Sequence, residues 1–361
     1  MAMIIPIFAH VNTLKISISF IIIAAISSCA RGGRVEQAAN GNDYAKFFSI
    51  ETVAGKDRII SFSPFDGTSD TLSIDKPLRR IICMSTSYVA YLSSIGCDSA
   101  IVGLSGSKYV SDPGLKDVPD VGYDASPDYE KIIALKPDVV LTYTVSSVAP
   151  RYVDKLRAFG IKVFVLYEHL EDHPLARTEY VKLFGAMMGR RPQADSVYAT
   201  VSQSYLKIAE RVVKADPVKK KVLLNIPYAD QWFIPGADNY MSIFIRDAGG
   251  EVLGAQPGKD ESSIIGIEKA YELSKSADFW LDVGWCRTRK DLFAEQPLFR
   301  EFPINRENIY NNTLRMTPGG GNDFWESGAV RADLVLSDLV KILHPELSDP
   351  SCELHYYIKL K

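Results

Sequence analysis

The chain has 361 residues, of which 47% are apolar and 24% are charged, and its net charge is -3. This length predicts about two domains, and the apolar content is enough for a core, which excludes a disordered, collagen-like or coiled-coil chain. A slightly acidic chain lacks the basic character typical of a nucleic-acid binder, so we expect no nucleic-acid partner. The five cysteines have irregular spacings that match neither a zinc pattern nor a disulfide framework.

The N-terminal segment has the pattern of an export signal. Eleven uncharged residues, Ile16 to Ile26, follow Lys15. A membrane span needs about 20 apolar residues, so this run has the size of a signal-peptide core instead. Ser27 and Ser28 then precede Cys29, which resembles the lipobox of bacterial lipoproteins. The resemblance implies a signal peptide over 1–28 and a lipid on the Cys29 thiol as the only covalent cofactor. The chain would then be exported and anchored to a bacterial membrane on its periplasmic side. The alternative is an ordinary secretory signal.

Residues 29–76 predict a flexible tether followed by a small β-meander. Short alternating stretches between Tyr44 and Ile74 are separated by turn residues. No residue in this region has a clear chemical role.

An N-terminal α/β lobe is predicted over residues 77–170. Strand patterns alternate with helix patterns, and the predicted strands are Arg79–Met84, Ile101–Leu104, Asp138–Tyr143 and Lys162–Leu166. Such alternation predicts a parallel sheet with helices on both faces.

Residues 171–215 predict connecting helices, because no strand pattern occurs there. The second helix, from Pro192 to Ala215, has about 24 residues and a length of about 36 Å. A C-terminal α/β lobe follows over residues 216–347, and residues 348–361 form a tail that we expect to add little. The predicted fold is therefore α/β, with two Rossmann-like lobes that have parallel central sheets, joined by one long α-helix and preceded by the meander.

This organisation resembles the class III substrate-binding proteins of ABC importers, which capture ferric siderophores, haem or cobalamin. Four stretches carry the resemblance: Arg79–Ser87, Ile95–Gly103, Asp128–Leu141 and Gly328–Pro345. It implies a monomeric binding protein, not an enzyme, that holds its ligand between two lobes. The implied partners are an ABC permease with its ATPase subunits, and the implied ligand is a ferric siderophore or, alternatively, a corrinoid such as cobalamin, or haem.

Two glutamates match the positions at which this family docks on its permease. Glu130 and Glu268 each stand in a Glu-Lys pair near a helix start, in different lobes. The alternative is that each acid only stabilises the positive end of its helix.

The ligand site is expected at the carboxyl ends of the strands, where open α/β sheets bind ligands. Hydroxyl and aromatic side chains recur there and suit a large, flat, partly apolar ligand, whereas arginines suit carboxylates or an anionic chelate. The arginines and hydroxyls favour a ferric siderophore. For any single aromatic residue the alternative is ordinary packing. The candidates are Ser85, Thr86, Tyr88, Ser107, Tyr109, Tyr123, Tyr143 and Tyr167 in the first lobe, and Trp232, Tyr240, Trp285, Arg287, Arg315 and Trp325 in the second.

Other motifs carry weaker hypotheses. Gly319–Gly321 lacks the P-loop spacing and is interpreted as a flexible rim loop that places Trp325 near the cleft. His169 and His173 are interpreted as capping or solvated residues rather than metal ligands.

Two other classes of protein remain open. One is an enzyme that uses the thiol of Cys286 in the cleft, and the other is a sensor that passes ligand occupancy to a receptor.

Overall fold

The structure is a computed structural model that describes residues 41–148 and 150–361. The predicted signal peptide and Cys29 lie outside the described residues, so they stay predictions. Within the described part of the chain, no helix combines the length and the apolar character needed to cross a bilayer.

The predicted meander is confirmed as a three-stranded antiparallel sheet of β1 (Phe48–Val53), β2 (Lys56–Phe62) and β3 (Ser69–Ile74). One face of this sheet is buried against the rest of the protein. The ring of Phe48 packs edge-on against Tyr180, with the ring centroids 4.6 Å apart. The meander is therefore part of the folded body rather than an independent module.

Two buried carboxylates hold the segment that enters the meander. Glu179 accepts hydrogen bonds from the backbone amides of residues 43–45, at 2.8–2.9 Å. Glu171 accepts from the backbone amides of Lys46 and Phe47, at 2.9–3.1 Å. Each carboxylate meets several N–H donors, and Glu179 is also paired with Lys182 at 2.7 Å, so the buried oxygens are satisfied.

The first lobe is built on a four-stranded, wholly parallel sheet with the order β5-β4-β8-β9. Its central strands are buried and mainly apolar because helices cover both faces. Ser85 and Asp128 cap the helices that follow them. The elements are β4 (Ile81–Cys83), α1 (Thr86–Ser94), β5 (Ile101–Leu104), β6 (Gly122–Tyr123), β7 (Ser126–Pro127), α2 (Tyr129–Ala134), β8 (Val139–Tyr143), α3 (Arg151–Ala158) and β9 (Val163–Leu166).

Two helices connect the lobes: α4 (Pro174–Met188) and α5 (Arg191–Ala215). At 25 residues, α5 is about 38 Å long. Its buried residues recur at helical spacing along one face. Tyr198 belongs to the hydrophobic core of the first lobe and Tyr205 to that of the second. The predicted long connecting helix is therefore present, and it contributes to both cores.

The second lobe repeats the strand order of the first. Its sheet has the order β12-β10-β14-β15-β16, in which only β16 is antiparallel. The elements are β10 (Lys220–Leu224), β11 (Trp232–Ile234), α6 (Tyr240–Asp247), β12 (Gly250–Val252), β13 (Ser263–Ile265), α7 (Ile267–Ser274), β14 (Phe279–Leu281), α8 (Arg289–Glu295), β15 (Ile309–Asn311), α9 (Ala332–Leu343) and β16 (Ile358–Lys359).

The C-terminal segment contributes more than the sequence predicts. Tyr356 and Tyr357 are completely buried in the second core. Asp338 on α9 accepts hydrogen bonds from the backbone amides of residues 355–357, and β16 then adds an edge strand beside β15. The expectation of a tail that adds little is wrong, because this segment completes the second sheet.

Candidate functional site

Both sheets present a topological switch point at corresponding places. In the first sheet the chain order reverses between β4 and β8, and in the second it reverses between β10 and β14. Connections leave such neighbouring strands in opposite directions, which opens a crevice at their carboxyl ends. Thr86 comes shortly after β4, Asn225 directly follows β10, and Asp282 directly follows β14.

Two adjoining cavities lie at these strand ends, and we call them together the cleft. The first, of about 700 Å³, lies between the lobes and is lined by Thr86 and Tyr109 of the first lobe and by residues of the second. The second, of about 630 Å³, lies within the second lobe. Trp285, Asn322 and Trp325 line both cavities. Each volume is within the range of small-molecule sites.

Aromatic rings with exposed faces dominate the rim of the cleft. Trp285 is 67% exposed, Trp325 is 44% exposed, and Tyr228, at the second cavity, is 79% exposed. Rings of this size are usually buried to a greater degree, and a flat ligand would cover them.

The floor of the second cavity is polar and hydrogen-bonded. The amide of Asn312 donates to Oδ1 of Asp282 at 3.1 Å, and the amide of Asn322 donates to Oδ1 of Asn312 at 3.2 Å. Burial raises the pKa of Asp282 to about 7. A continuous row of polar side chains therefore crosses the floor.

The charge of the cleft differs from the sequence expectation. Asp282 and Glu295 line it, and no lysine or arginine lines it within the described residues. Arg287 is exposed on the approach to α8 and does not line the cleft. Arg315 is paired with Asp323 at 2.6 Å and lines a different cavity, beside α5. Neither arginine lines the cleft, so the structure does not bring these two candidates together with the others.

Three predicted ligand residues are instead packing residues. Tyr88 is completely buried and its hydroxyl donates to the carbonyl of Thr142 at 3.0 Å. Trp232 is completely buried and stacks on Phe302. Tyr167 is buried near Phe65 of the meander. These predictions are wrong because the rings turn into the protein rather than towards the cleft.

The other candidates lie at or near the strand ends. Those that line the cleft are Thr86, Tyr109, Tyr240, Trp285 and Trp325. Tyr123 lies beside Tyr109, with ring centroids 6.1 Å apart, and the half-buried Tyr143 packs against His169. Ser85 is occupied as the cap of α1, and the backbone amide and hydroxyl of Ser107 both donate to Asp120. Ligand contact stays a prediction for all of them.

The Gly319–Gly321 loop places Trp325 at the cleft, and it also joins the lobes. The hydroxyl of Thr317 donates to the carbonyl of Lys108 at 3.0 Å. A Cβ at Gly321 would lie 1.9 Å from the carbonyl oxygen of Tyr109, and one at Gly319 would lie 2.3 Å from that of Lys108. The loop is therefore packed against the first lobe, and glycine is needed for this close backbone approach.

Glu130 and Glu268 occupy equivalent positions in the two lobes. Each is exposed in the first turn of the helix, α2 or α7, that precedes the third strand of its sheet. The residues that directly precede the third strands match as well. Asp138 accepts a hydrogen bond from the backbone amide of Arg80, and Asp278 accepts one from the backbone amide of Lys221. The internal repeat therefore places one exposed carboxylate at the same site in each lobe.

The alternative chemical sites gain little support. Cys286 is buried, and burial raises the pKa of its thiol to about 12, the opposite of what an activated nucleophile needs. His173 caps α4 through Nδ1, and Nε2 of His169 lies 3.1 Å from the carbonyl of Thr144. Within the described residues no cluster of three or more potential metal ligands occurs.

Sequence reasoning missed the polar floor of the second cavity. Asn225, Asp282, Asn312 and Asn322 were not among the candidates, although the first two directly follow apolar strands. Asn225 and Asp282 have left-handed backbone, which Asn and Asp tolerate better than other non-glycine residues. An Asn or Asp directly after an apolar strand is therefore the signal that could have identified these two.

A profile of the periplasmic binding protein family matches residues 81–308, and the chain belongs to this family. An uncharacterised lipoprotein of Methanocaldococcus jannaschii is 26% identical over 79% of this chain and 70% of that protein. An uncharacterised ABC transporter substrate-binding lipoprotein of Bacillus subtilis is 23% identical over 49% of this chain and 56% of that protein. A periplasmic haem-binding protein of Pseudomonas aeruginosa has the same fold, with a TM-score of 0.61 and 16% identity over 79% of this chain and 98% of that one.

The fold is that of the class III periplasmic binding proteins of ABC importers. The family and the fold are therefore those of substrate-binding transport proteins rather than of enzymes.

Proposed function

We propose that this protein captures a large metal chelate in the cleft and delivers it to a membrane permease of an ABC importer. The chelate would be a ferric siderophore, a corrinoid or haem. The observation that carries the proposal is a cleft lined from both lobes and rimmed by exposed tryptophan rings. Aromatic rims of this kind bind flat or partly apolar ligands over a large area.

The arrangement of Glu130 and Glu268 supports delivery to a permease. A permease of two similar subunits presents its surface twice, and the two lobes offer one exposed carboxylate each at equivalent positions. Charge pairing at a rim mainly sets the rate and orientation of docking.

We further propose that the chain is exported and held at the membrane by a lipid on Cys29. The lipoprotein names of the relatives from Methanocaldococcus jannaschii and Bacillus subtilis support this proposal. Mass spectrometry of the protein from its membrane fraction tests it: we expect a diacylglyceryl adduct on an N-terminal Cys29. An unmodified Cys29 in a secreted chain would contradict it.

Equilibrium dialysis tests the binding function. The full chain, purified in detergent, is dialysed against cyanocobalamin, haemin and ferrioxamine B, and the bound chelate is measured by its absorption. We expect saturable binding of at least one chelate at a ratio of one per chain, with a dissociation constant of about 1 μM or lower. Failure of all three to bind would overturn the proposal for these chelate classes.

A further inference from the structure

The switch point of the second lobe holds two left-handed residues side by side. Asn225 has a φ of 68° and Asp282 has a φ of 61°, and they directly follow the paired strand ends Leu224 and Leu281. The backbone N–H of Asn225 donates to the carbonyl of Leu281 at 3.0 Å, which ties the two turns together. Left-handed backbone at a non-glycine residue is uncommon, and it clusters at functional sites.

The carboxylate of Asp282 keeps acceptor capacity for a ligand. A carboxylate has about four lone-pair sites. One is used by the amide of Asn312, and the hydroxyl of Tyr357 lies beside the group. Asn312 is itself oriented, because its Oδ1 accepts from Asn322 and its amide therefore points to Asp282. The carboxylate is held in place while its remaining sites are available at the cavity.

The charge of Asp282 is not balanced by a basic side chain at the cavity. Among the ion pairs of the described residues, none includes Asp282 or the cavity's second carboxylate, Glu295. Arg177 lies over the ring of Tyr240, 4.8 Å from its centroid, and it does not line the cavity. A partly buried carboxylate without a cation is costly, and a hydrogen-bond donor on a ligand would offset that cost.

We propose that Asp282 determines specificity by accepting a hydrogen bond from an N–H group of the chelate, so that the cleft selects uncharged or cationic chelates over anionic ones. This inference rests on the proposed function. The sequence alone suggests a preference for anionic chelates, based on Arg287 and Arg315. The structure suggests the opposite preference, because neither arginine lines the cleft and two carboxylates do.

The test compares the affinities of three probes of different charge: ferrioxamine B, which carries an ammonium group, uncharged cyanocobalamin with its amide groups, and haemin with two carboxylates. We expect the wild-type chain to bind ferrioxamine B or cyanocobalamin at least about tenfold more tightly than haemin. In Asp282→Asn the affinity ratio of that chelate to haemin should fall by about tenfold, because a charge-assisted hydrogen bond is lost.

Two further variants serve as a control and as a substitute in the measurement of this affinity ratio. Asp238→Asn removes an exposed carboxylate of the same lobe that does not line the cleft, and the ratio should not change. Asparagine suits left-handed backbone, so Asp282→Asn is expected to fold. If it does not, Glu295→Gln removes the other carboxylate of the cavity, and a smaller fall in the same ratio is expected.

The outcomes separate this inference from the proposed function. Binding of a chelate with an unchanged ratio in Asp282→Asn, or a wild-type preference for haemin, would overturn the inference and leave the proposed function standing. Absence of binding to any of the three chelates would overturn both.

Discussion

The backbone amide of Ser111 donates to both carboxylate oxygens of Glu326, at distances of 3.2 and 2.9 Å. Ser111 belongs to the first lobe, and Glu326 follows the Gly319–Gly321 loop of the second. Together with the contact of Thr317 on Lys108, this bond joins the lobes directly beside the cleft. The separation of the lobes is therefore set by these loop contacts as well as by α5.

Acidification from pH 8 to pH 6.5 should stabilise the ligand-free protein. Burial raises the pKa of Glu326, Glu171 and Asp282 to about 7 each, whereas in the unfolded chain such groups have a pKa near 4. The folded state thus binds more protons over this range, and stability falls as the pH rises. Burial lowers the pKa of His173 to about 4 and also lowers the pKa of His355, so both residues oppose the trend increasingly as the pH falls towards 6.5. The three carboxyl groups outweigh them over this range. The midpoint of thermal unfolding, measured at several pH values, checks the slope.

The variant Glu326→Gln should reduce that slope by roughly a quarter to a third, because it removes one of the three groups with a pKa near 7, and Asp338, with a pKa raised to about 6, contributes a smaller part. Glu210→Gln is the matched control. A hydrogen bond from Lys214 lowers the pKa of the exposed Glu210, so this residue is ionised in both states over the range and its loss leaves the slope unchanged. A Tm of the wild type that rises with pH would contradict the raised pKa values of these buried carboxyl groups.

The variant Gly321→Ala should separate the lobes. Its Cβ would lie 1.9 Å from the carbonyl oxygen of Tyr109, so the loop must lift from the first lobe. We expect a loss of stability of about 1–3 kcal/mol, typical of overpacking, and a larger radius of gyration in X-ray scattering. Gly328→Ala is the control, because its Cβ meets no atom closer than 3.7 Å. Equal stability of both variants would show that the loop contact has no energetic importance.

The tryptophans give a direct optical readout of binding. Trp285 and Trp325 line the cleft, whereas Trp232 and Trp280 are buried in the core. A coloured chelate should quench the fluorescence, and Trp285→Leu and Trp325→Leu should each weaken its binding about three- to tenfold through the lost ring contact. Phe159→Leu changes an exposed ring that does not line the cleft and should leave binding unchanged. Full affinity in the double tryptophan variant would place the ligand elsewhere.

Charge reversal at Glu130 and Glu268 should stop delivery without affecting capture. In vesicles that contain the cognate permease, the double variant Glu130→Lys and Glu268→Lys is expected to transport at least about tenfold more slowly, since docking depends on charge pairing. Its affinity for the chelate should equal that of the wild type, and Glu210→Lys on α5 serves as the control. Unimpaired transport by the double variant would show that these two carboxylates do not determine docking on the permease.

The fold could be predicted from the sequence because its main elements have strong local patterns. Strand β9 is a continuous apolar run and β8 is apolar except for Thr142, as expected for buried parallel strands. Helix α5 has a long helical repeat that starts beside Pro192. Strands β12, β13 and β16 have only two or three residues, which is too short for a period to be recognised. Their formation depends on neighbours that are distant in the chain.

The site residues were harder to predict. A strand end in the sequence shows where a residue lies in the sheet, but it does not show which way its side chain points. Tyr88 and Trp232 follow or lie in the expected strands, yet both rings pack into the core. Arg315 meets Asp323 only because the intervening loop folds back onto itself. Such contacts depend on the path of a loop, which local propensity does not determine.

A crystal structure of the chain with the chelate that it binds most tightly would locate the ligand. We expect the chelate between Thr86 and Tyr109 of the first lobe and Trp285 and Trp325 of the second, with an N–H group within hydrogen-bond distance of Asp282. A chelate seated in the cavity beside α5, against Arg315 and away from the tryptophans, would contradict this expectation.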